Sequence, residues 1–256
     1  MELLNKGKEK INSNTFFGLL KSYNLNSASD YFKEALSIFK KEGNVFGIHE
    51  ALYNLAIVNE ELLNLREAIE YYLESAKTIE HLDYEKAIQI YKSTMEFFGN
   101  KSTNYRYCAN RIAILYEKYQ QLNKAIEYFK LASNMEKVAD ILALQKEYKQ
   151  AETIYDSIIA EKKEFLLGKW TINELILKSI LCSFFTRKNI HTQFNYYTLQ
   201  FPRWQGTEEY NFCKSLIESI SNKDEKAFSM VIKDFYKLTE WFVCVLFEIK
   251  LNFFNT

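Results

Sequence analysis

Hydrophobic and polar positions along this chain recur with the period of an α-helix, and one six-residue pattern returns four times. Each copy begins with a charged or amide residue, continues with Ala, and carries an aromatic residue four places after that Ala. The copies are EAIEYY from Glu67, KAIQIY from Lys86, KAIEYF from Lys124 and QAETIY from Gln150. Their starts lie 19, 38 and 26 residues apart. The first spacing suits one helix with its turn and the second a helical hairpin, so the pattern predicts tetratricopeptide-like repeats.

The Ala and the aromatic residue of each hexad have predicted packing roles. The apolar residues of the first copy, Ala68, Ile69 and Tyr72, fall on one face of a helix. A small Ala lets a neighbouring helix approach closely, and the aromatic ring fills the groove beside it. The many Tyr and Phe side chains are therefore predicted to be core residues rather than platforms for a stacked cofactor.

The strongest break in the pattern comes at Pro202, the chain's only proline, with Gly206 close behind it. We therefore predict a repeat layer over residues 1–201 and a C-terminal helical bundle over residues 202–256. The predicted bundle contains two helices, over residues 208–221 and 224–253. One long helical stretch, residues 170–195, precedes the break.

Near the N-terminus the segment SDYFKEALSIFKKEGN predicts a single helix. Ser29 or Asp30 would cap its start, because short oxygen-bearing side chains accept hydrogen bonds from the first free amides. Gly43 would end it, because glycine readily adopts the left-handed conformation of a helix C-terminus.

Composition supports an all-α fold. The 256 residues include only seven Gly and one Pro, whereas sheet proteins need turn residues every 8–12 positions or so. Doubly wound folds and α/β barrels also need glycines in their phosphate-binding and active-site loops. The prediction is a solenoid of antiparallel helical hairpins, tetratricopeptide-like, followed by the bundle.

Charge and cysteine content narrow the function classes. The chain has 33 basic and 33 acidic residues and no formal net charge, which disfavours nonspecific nucleic-acid binding. The four cysteines are widely separated among apolar neighbours and form no CxxC pair. They are predicted to be buried thiols in a reducing compartment, without a metal role.

Catalytic motifs are missing from the sequence. It contains no Gly-rich phosphate loop, no GxSxG and no HExxH, and its histidines, His49, His81 and His191, stand in unrelated segments. Its carboxylates alternate with lysines as on a solvated helix face. We therefore predict a protein that is not an enzyme and needs no cofactor. A generic helical-repeat scaffold for an unrelated peptide partner is the second interpretation.

Targeting signals are also missing from the sequence. The segment MELLNKGKEKINSN lacks the apolar core of a signal peptide, and nowhere do about 18 apolar residues run together. The expectation is a cytoplasmic protein.

One apolar cluster does not follow the helical pattern. In NSNTFFGLLKSYNLNS, the side chains of Phe16, Phe17, Leu19 and Leu20 crowd around Gly18 between polar residues. This arrangement predicts an exposed apolar loop near residues 15–20, and such clusters tend to contact membranes or partner proteins. The alternative, in which the loop folds back onto the first helix pair, stays open.

These segments, taken in order, resemble the alpha-type soluble NSF attachment protein (alpha-SNAP) family. The resemblance starts at NSNTFFGLLKS and continues through EKAIQIYKSTMEFFG, RIAILYE, KVADILALQKEYKQAETIYDSI and KWTINELILKSILCSFF. It ends with YYTLQFPRWQGTEEYNFCKSLIE and EWFVCVLFEIK. No single piece is diagnostic, but the ordered set covers essentially the whole chain.

The resemblance implies an adaptor for membrane fusion. It would bind an assembled, syntaxin-type SNARE four-helix bundle through a basic face and recruit the hexameric ATPase NSF to disassemble it. The protein would be cytoplasmic and peripherally attached to membranes through Phe16, Phe17, Leu19 and Leu20. The basic positions that match the family's SNARE-binding residues, either aligned with them or close to them, are Lys101, Arg106, Lys137, Lys169 and Lys178.

The resemblance also implies an acidic contact with NSF, which falls here on Glu218, Asp224 and Glu225. The family's acidic tail has no counterpart in a chain that ends LNFFNT. A divergent paralogue that cannot stimulate NSF is therefore a further alternative.

Overall fold

The structure, a computed structural model, describes residues 1–12, 18–100, 102–164, 169–186 and 189–254; among these, the side chains of residues 18–20, 163–164 and 169–171 are not described. Within these ranges the chain forms fourteen α-helices and one 3-10 helix, and no β-strand. The prediction of an all-α fold is confirmed.

The helices follow one another with short connections. Their bounds are α1 Glu2–Asn12, α2 Gly18–Glu42, α3 Val45–Glu61, α4 Leu65–Ile79, α5 Tyr84–Met95, α6 Thr103–Lys118, α7 Leu122–Leu131, α8 Met135–Leu144, α9 Tyr148–Glu164, α10 Lys169–Ser183, α11 Ile190–Gln200, the 3-10 helix Pro202–Gly206, α12 Glu208–Ser221, α13 Glu225–Asp234 and α14 Glu240–Phe254. They group into two compact units, Met1–Ser133 and Asn134–Thr256.

In the first unit, helices α1 to α7 pack mainly against the helices that precede or follow them in the chain within this unit. Short connections make consecutive helices antiparallel. The start of α2 and the α3–α4 turn therefore lie at one edge of the unit, and the α2–α3, α4–α5 and α6–α7 turns at the other. The sequence spacing predicted this hairpin layer.

The hexads pack as predicted. The Ala residues at positions 68, 87, 125 and 151 have no exposed surface. Tyr91, Phe129 and Tyr155 are also fully buried, and Tyr72 is half-buried. Small and large side chains therefore interlock between neighbouring helices, as close-packed interiors require.

The end of α2 was predicted correctly and its start was not. Gly43 has φ 66°, and the amide of Asn44 donates to the carbonyl oxygen of Phe39 at 3.0 Å, which closes the helix C-terminus. The helix begins at Gly18 rather than near Ser29, which is buried inside it. Leu25, Ala28 and Phe32, all buried, keep helical spacing across this region, so burial outweighs the capping preference of Ser29.

The second unit has one core that runs from α8 to α14. Helix α12 packs on α10, and α14 packs on both α8 and α10. The compact units divide after Ser133, and the helices after Pro202 share their core with helices before it. The division into a repeat layer over 1–201 and a bundle over 202–256 stays a prediction about repeat architecture.

Two predicted helices of this unit are each split. The stretch 170–195 is interrupted after Ser183, and Asn189 caps the start of α11 through its side-chain oxygen. Helix 208–221 was predicted correctly, but 224–253 divides into α13 and α14. Phe235 ends α13 in an extended conformation, and its ring stacks on Phe212 at 4.1 Å between ring centroids. Neither break contains Gly or Pro, so the pattern of turn residues did not predict them.

Candidate interaction surfaces

The predicted basic positions differ in their surroundings. Arg106 is exposed in the first turn of α6. Lys137 is half-buried in the first turn of α8, and its amide donates to Asn134 Oδ1 at 3.4 Å. Lys101 lies outside the described residues; Lys169 begins α10, but its side chain lies outside them too. Their role in binding stays a prediction.

Lys178 is not a surface lysine, and its assignment to a binding face is wrong. Its side chain sits in the core of the second unit with 5% of the residue exposed. The ammonium nitrogen lies 3.0 Å from Asp140, 3.2 Å from Glu174 and 3.5 Å from Glu136. These carboxylates surround the charge, so Lys178 joins α8 to α10 instead of facing a partner.

The electrostatics of this buried cluster keep Lys178 charged. Burial opposes the charge, but the neighbouring carboxylates, Asp140 first among them, outweigh burial and raise the pKa of Lys178 above its usual value. Asp140 also accepts a hydrogen bond from the Tyr155 hydroxyl at 2.6 Å, and its carbonyl oxygen accepts one from Trp241 Nε1 at 3.2 Å. Burial raises the pKa of Tyr155 as well. The sequence signal for the burial of Lys178 was its position inside an apolar run, LILKSIL.

The three predicted acidic residues come together around the turn between α12 and α13. Glu218 is exposed in the last turn of α12. Asp224 caps α13, its Oδ1 accepting from the Ala227 amide at 2.9 Å, and Glu225 pairs with Lys250 at 2.9 Å. Negative side chains at a helix N-terminus are stabilised by the helix dipole. Helix capping and the helix dipole therefore account for Asp224 and Glu225, but not for Glu218, which lies at a helix C-terminus.

An aromatic groove in the first unit was not expected from the sequence. It is open, has a volume of about 810 Å³, and lies between α1, α3, α4 and α5. Tyr53 and Tyr72 meet edge to face at 5.5 Å between ring centroids, and Phe97 stacks on Tyr72 at 6.2 Å. Tyr72 donates to Glu60 at 2.7 Å, and burial raises its pKa. Rings that the repeat pattern assigned to the core thus also line an open surface.

His49 lies at the wall of this groove and is buried. The Ser75 hydroxyl is 2.9 Å from His49 Nδ1 and 3.1 Å from the His49 carbonyl oxygen. A neutral imidazole with its proton on Nδ1 satisfies both contacts, because it donates to the hydroxyl and the hydroxyl donates to the carbonyl. Burial, with a smaller contribution from Lys86, lowers the pKa of His49.

The cysteines divide into two kinds. Cys108, Cys182 and Cys213 are buried, as predicted, and burial raises the pKa of the Cys108 thiol to about 12. Cys244 is exposed, which corrects the prediction, because it faces outward on α14. Across the described ranges, no group of three or more His, Cys, Asp or Glu residues is arranged to hold a metal ion.

The predicted membrane contact falls largely outside the described residues. Phe16 and Phe17 lie there, and so do the side chains of Leu19 and Leu20, although both leucines belong to the backbone of α2. The predicted loop is thus helical from Gly18 onward. Searching the described helices for one with the length and apolarity to cross a bilayer finds none.

Comparison with known proteins adds two findings. The family model "Soluble NSF attachment protein, SNAP" matches residues 1–253. The chain is similar to the alpha-soluble NSF attachment proteins of Saccharomyces cerevisiae, at 26% identity, and of Homo sapiens, at 22% identity. Both alignments cover 98% of this chain, with 95% of the yeast relative and 93% of the human one. A shorter similarity, 29% identity over 46% of this chain and 42% of the relative, is to the probable vesicular-fusion protein sec17 homolog of Neurospora crassa.

Proposed function

This chain belongs to the soluble NSF attachment protein family, and we propose from that premise that it is an adaptor in vesicle fusion. It binds assembled SNARE complexes and recruits the NSF ATPase, which disassembles them. The match of the family model over residues 1–253 carries this proposal. Similarity to alpha-soluble NSF attachment proteins over nearly the full length of both chains supports it, and it disfavours the generic scaffold.

The mechanism we propose is mechanical coupling without chemistry by the chain itself. A basic surface holds the acidic SNARE bundle, of the syntaxin type, because complementary charge steers and orients partners. Arg106, Lys101, Lys137 and Lys169 are its proposed members. Lys178 is left out because it is buried among carboxylates.

The proposed ATPase contact is the acidic turn between α12 and α13. Its three acidic side chains, of Glu218, Asp224 and Glu225, are exposed. A basic surface on the ATPase could therefore contact them directly. The proposed membrane contact is the segment that contains Phe16, Phe17, Leu19 and Leu20. The protein would be cytoplasmic, and this segment would attach it peripherally to membranes.

Co-sedimentation with an assembled SNARE bundle at low and moderate salt tests the basic surface. Replacing Lys101, Lys137 and Lys169 together by Glu should weaken binding about tenfold or more, because like charges across an interface cost several kcal/mol. The matched control replaces Lys41, Lys77 and Lys130, all exposed, by Glu and makes the same change in net charge.

The outcomes separate the site from the function. Equal losses in both triple variants would show that net charge alone matters and would refute the assigned residues. A wild-type chain that fails to bind the bundle even at low salt would refute the adaptor function.

The acidic turn is tested by ATPase recruitment to a preformed complex with the SNARE bundle. The variant Glu218→Gln, Asp224→Ser and Glu225→Gln removes three charges, and the serine hydroxyl keeps the capping oxygen that α13 needs. We expect bundle binding to persist and both ATPase recruitment and stimulated ATP hydrolysis to fall. Unchanged recruitment would refute the assignment. Wild-type recruitment without stimulated hydrolysis would identify the divergent paralogue.

A further inference from the structure

Leu63 lies in the turn between α3 and α4. Among the large apolar residues that the structure describes, it is the most exposed. Leu63 is 82% exposed, and Leu65, two residues later, is 47% exposed. A single exposed leucine is ordinary on a protein surface. A second observation, on the backbone, makes this one unusual.

Leu63 has φ 62°, in the left-handed region of backbone conformation that residues other than glycine rarely adopt. The other described residues with positive φ are Gly43, Gln120, Ser133, Lys146 and Lys223. All of these lie just after a helix and are glycine or polar, as is usual for a helix C-terminus. Among the described residues, Leu63 alone combines this backbone conformation with an apolar side chain, and it gains almost no burial within the chain in return.

The position of the turn suggests what covers it. In the antiparallel layer of the first unit, the α3–α4 turn lies at the same edge as the start of α2. Lys21, near that start, pairs with Glu61 at the end of α3 at 2.6 Å, which places these two helix ends side by side. The sequence directly before Lys21 is the apolar run from Phe16 to Leu20. Leu63 thus stands at the edge from which α2 starts.

We propose that the α3–α4 turn is a second membrane-contact element, in which Leu63 and Leu65 enter the interfacial region of a lipid bilayer. This inference rests on the membrane attachment in the proposed function and adds residues to it. Asn64 and Arg66 alternate with the leucines and remain at the level of the headgroups. Arg66 is exposed, and its i,i+4 ion pair with Glu70 at 3.4 Å is a weak surface pair, so the guanidinium can contact lipid phosphate.

A bilayer is the occupant that this shape favours. Leu63 and Leu65 protrude into solvent and alternate with the exposed polar side chains of Asn64 and Arg66. A protein partner would need a complementary pocket for a single protruding leucine, whereas the bilayer interface accepts such a side chain without one. Amphipathic segments bind membranes in this way, and the strength of binding grows with the apolar area that they bury.

The opposite edge of the same unit supplies a matched control. Leu82 lies in the α4–α5 turn, is 52% exposed and is not among the residues with positive φ. Because α4 joins the two turns, Leu82 and Leu63 lie at opposite ends of one helix. A bilayer that touches one of these edges leaves the other in water.

Flotation with vesicles of phosphatidylcholine and phosphatidylserine tests the proposal on the full chain. We expect Leu63→Asn to weaken vesicle binding about tenfold, because one leucine side chain no longer leaves water, and Leu82→Asn to leave it unchanged. Asparagine tolerates the left-handed conformation better than leucine, so Leu63→Asn should keep or raise the melting temperature. Weaker binding together with equal or higher stability excludes unfolding as the cause.

A fluorescent probe provides an independent measurement. In a Cys244→Ser background, which removes the exposed native thiol, an environment-sensitive dye is attached to Leu63→Cys or Leu82→Cys. Vesicles should shift the emission of the dye at position 63 to the blue and leave the dye at position 82 unchanged.

Several outcomes would overturn the proposal. Equal vesicle binding by wild type and Leu63→Asn would do so, as would equal losses in the Leu63 and Leu82 variants. A Leu63→Asn variant that loses binding to a soluble SNARE bundle, but not to vesicles, would make the occupant a protein. Binding of the wild type to that soluble bundle is measured separately, so failure of the membrane element is distinguishable from failure of the adaptor function.

Discussion

The first unit, residues 1–133, and the second unit, residues 134–256, place their charges differently. In the first, the pairs Lys21–Glu61 and Lys40–Glu74 join neighbouring helices at the surface. In the second, Lys178 is buried among carboxylates from α8 and α10. Exposed pairs contribute little to stability, whereas a buried charge requires its partners. The described part of the first unit also buries a charge, Glu80, which pairs with Arg111. Among the described residues, however, only the second unit buries a lysine, while surface pairs are dispensable in both units.

The units also differ in the sequence distance of their contacts. In the first unit, packing runs mainly between consecutive helices. In the second unit, Trp241 on α14 donates to the carbonyl oxygen of Asp140 on α8, 101 residues earlier. A repeat layer can be assembled pair by pair, because each helix needs mainly its neighbours. The second unit needs its last helix to complete its core.

The largest expected effect is the loss of the buried charge. Lys178→Met should lower the free energy of unfolding by about 3 kcal/mol, because it leaves Asp140, whose side chain is only 17% exposed, without its counter-charge. Urea denaturation measures the loss, and hydrogen exchange should show faster exchange in α8, α10 and α14.

The control for this prediction is Lys40→Met, which removes a lysine from an exposed pair and should leave stability nearly unchanged. Equal losses of stability in the two variants would contradict the contrast between buried and exposed charges.

The next effect tests close packing in the first unit. A Cβ atom on Gly47 would lie 2.6 Å from the ring of Phe39, so α3 could not approach α2 as closely. Gly47→Ala should destabilise the chain by about 1–3 kcal/mol through overpacking. Thermal unfolding followed by circular dichroism measures the change.

Gly99→Ala is the matched substitution in open space, since a Cβ there meets nothing within 4 Å. It should leave the melting temperature nearly unchanged. If both alanine variants melted alike, close approach of α2 and α3 would not govern the stability of the first unit.

The smallest expected effect is a dependence of stability on pH. The pKa of His49 is lowered in the folded chain, so the unfolded chain takes up a proton near pH 6.5 and the folded chain only at lower pH. The contribution of neutral, buried His49 to the stability of the fold is therefore present above about pH 6.5. It is lost as the pH falls from there through the pKa of His49 in the folded chain.

Urea denaturation of wild type and His49→Gln between about pH 7.5 and pH 5 measures this dependence. The loss of stability toward acid should be smaller in the variant, since glutamine does not titrate. Parallel curves for the two proteins would show that other groups cause the acid sensitivity.

Part of the candidate site was readable from the sequence and part was not. The resemblance predicted Glu218, Asp224 and Glu225 as an acidic contact, and all three are exposed around one turn, while their role stays a prediction. Lys178 was misassigned because sequence alone does not distinguish a lysine on a solvated face from one enclosed by carboxylates of a distant helix. The aromatic groove was missed because the repeat pattern assigns every ring to the core, while the groove depends on how helices diverge.

The sequence by itself determined the helical class, the repeated Ala and aromatic positions and the stop at Gly43. These features depend on local spacing and on backbone preferences that act within a few residues. Only the tertiary structure decided that α2 starts at Gly18, that residues 224–253 form two helices, and that Lys178 is buried. Each of these outcomes depends on burial against residues far away in the chain, such as Phe235 against Phe212, and burial of that kind outweighs local preference.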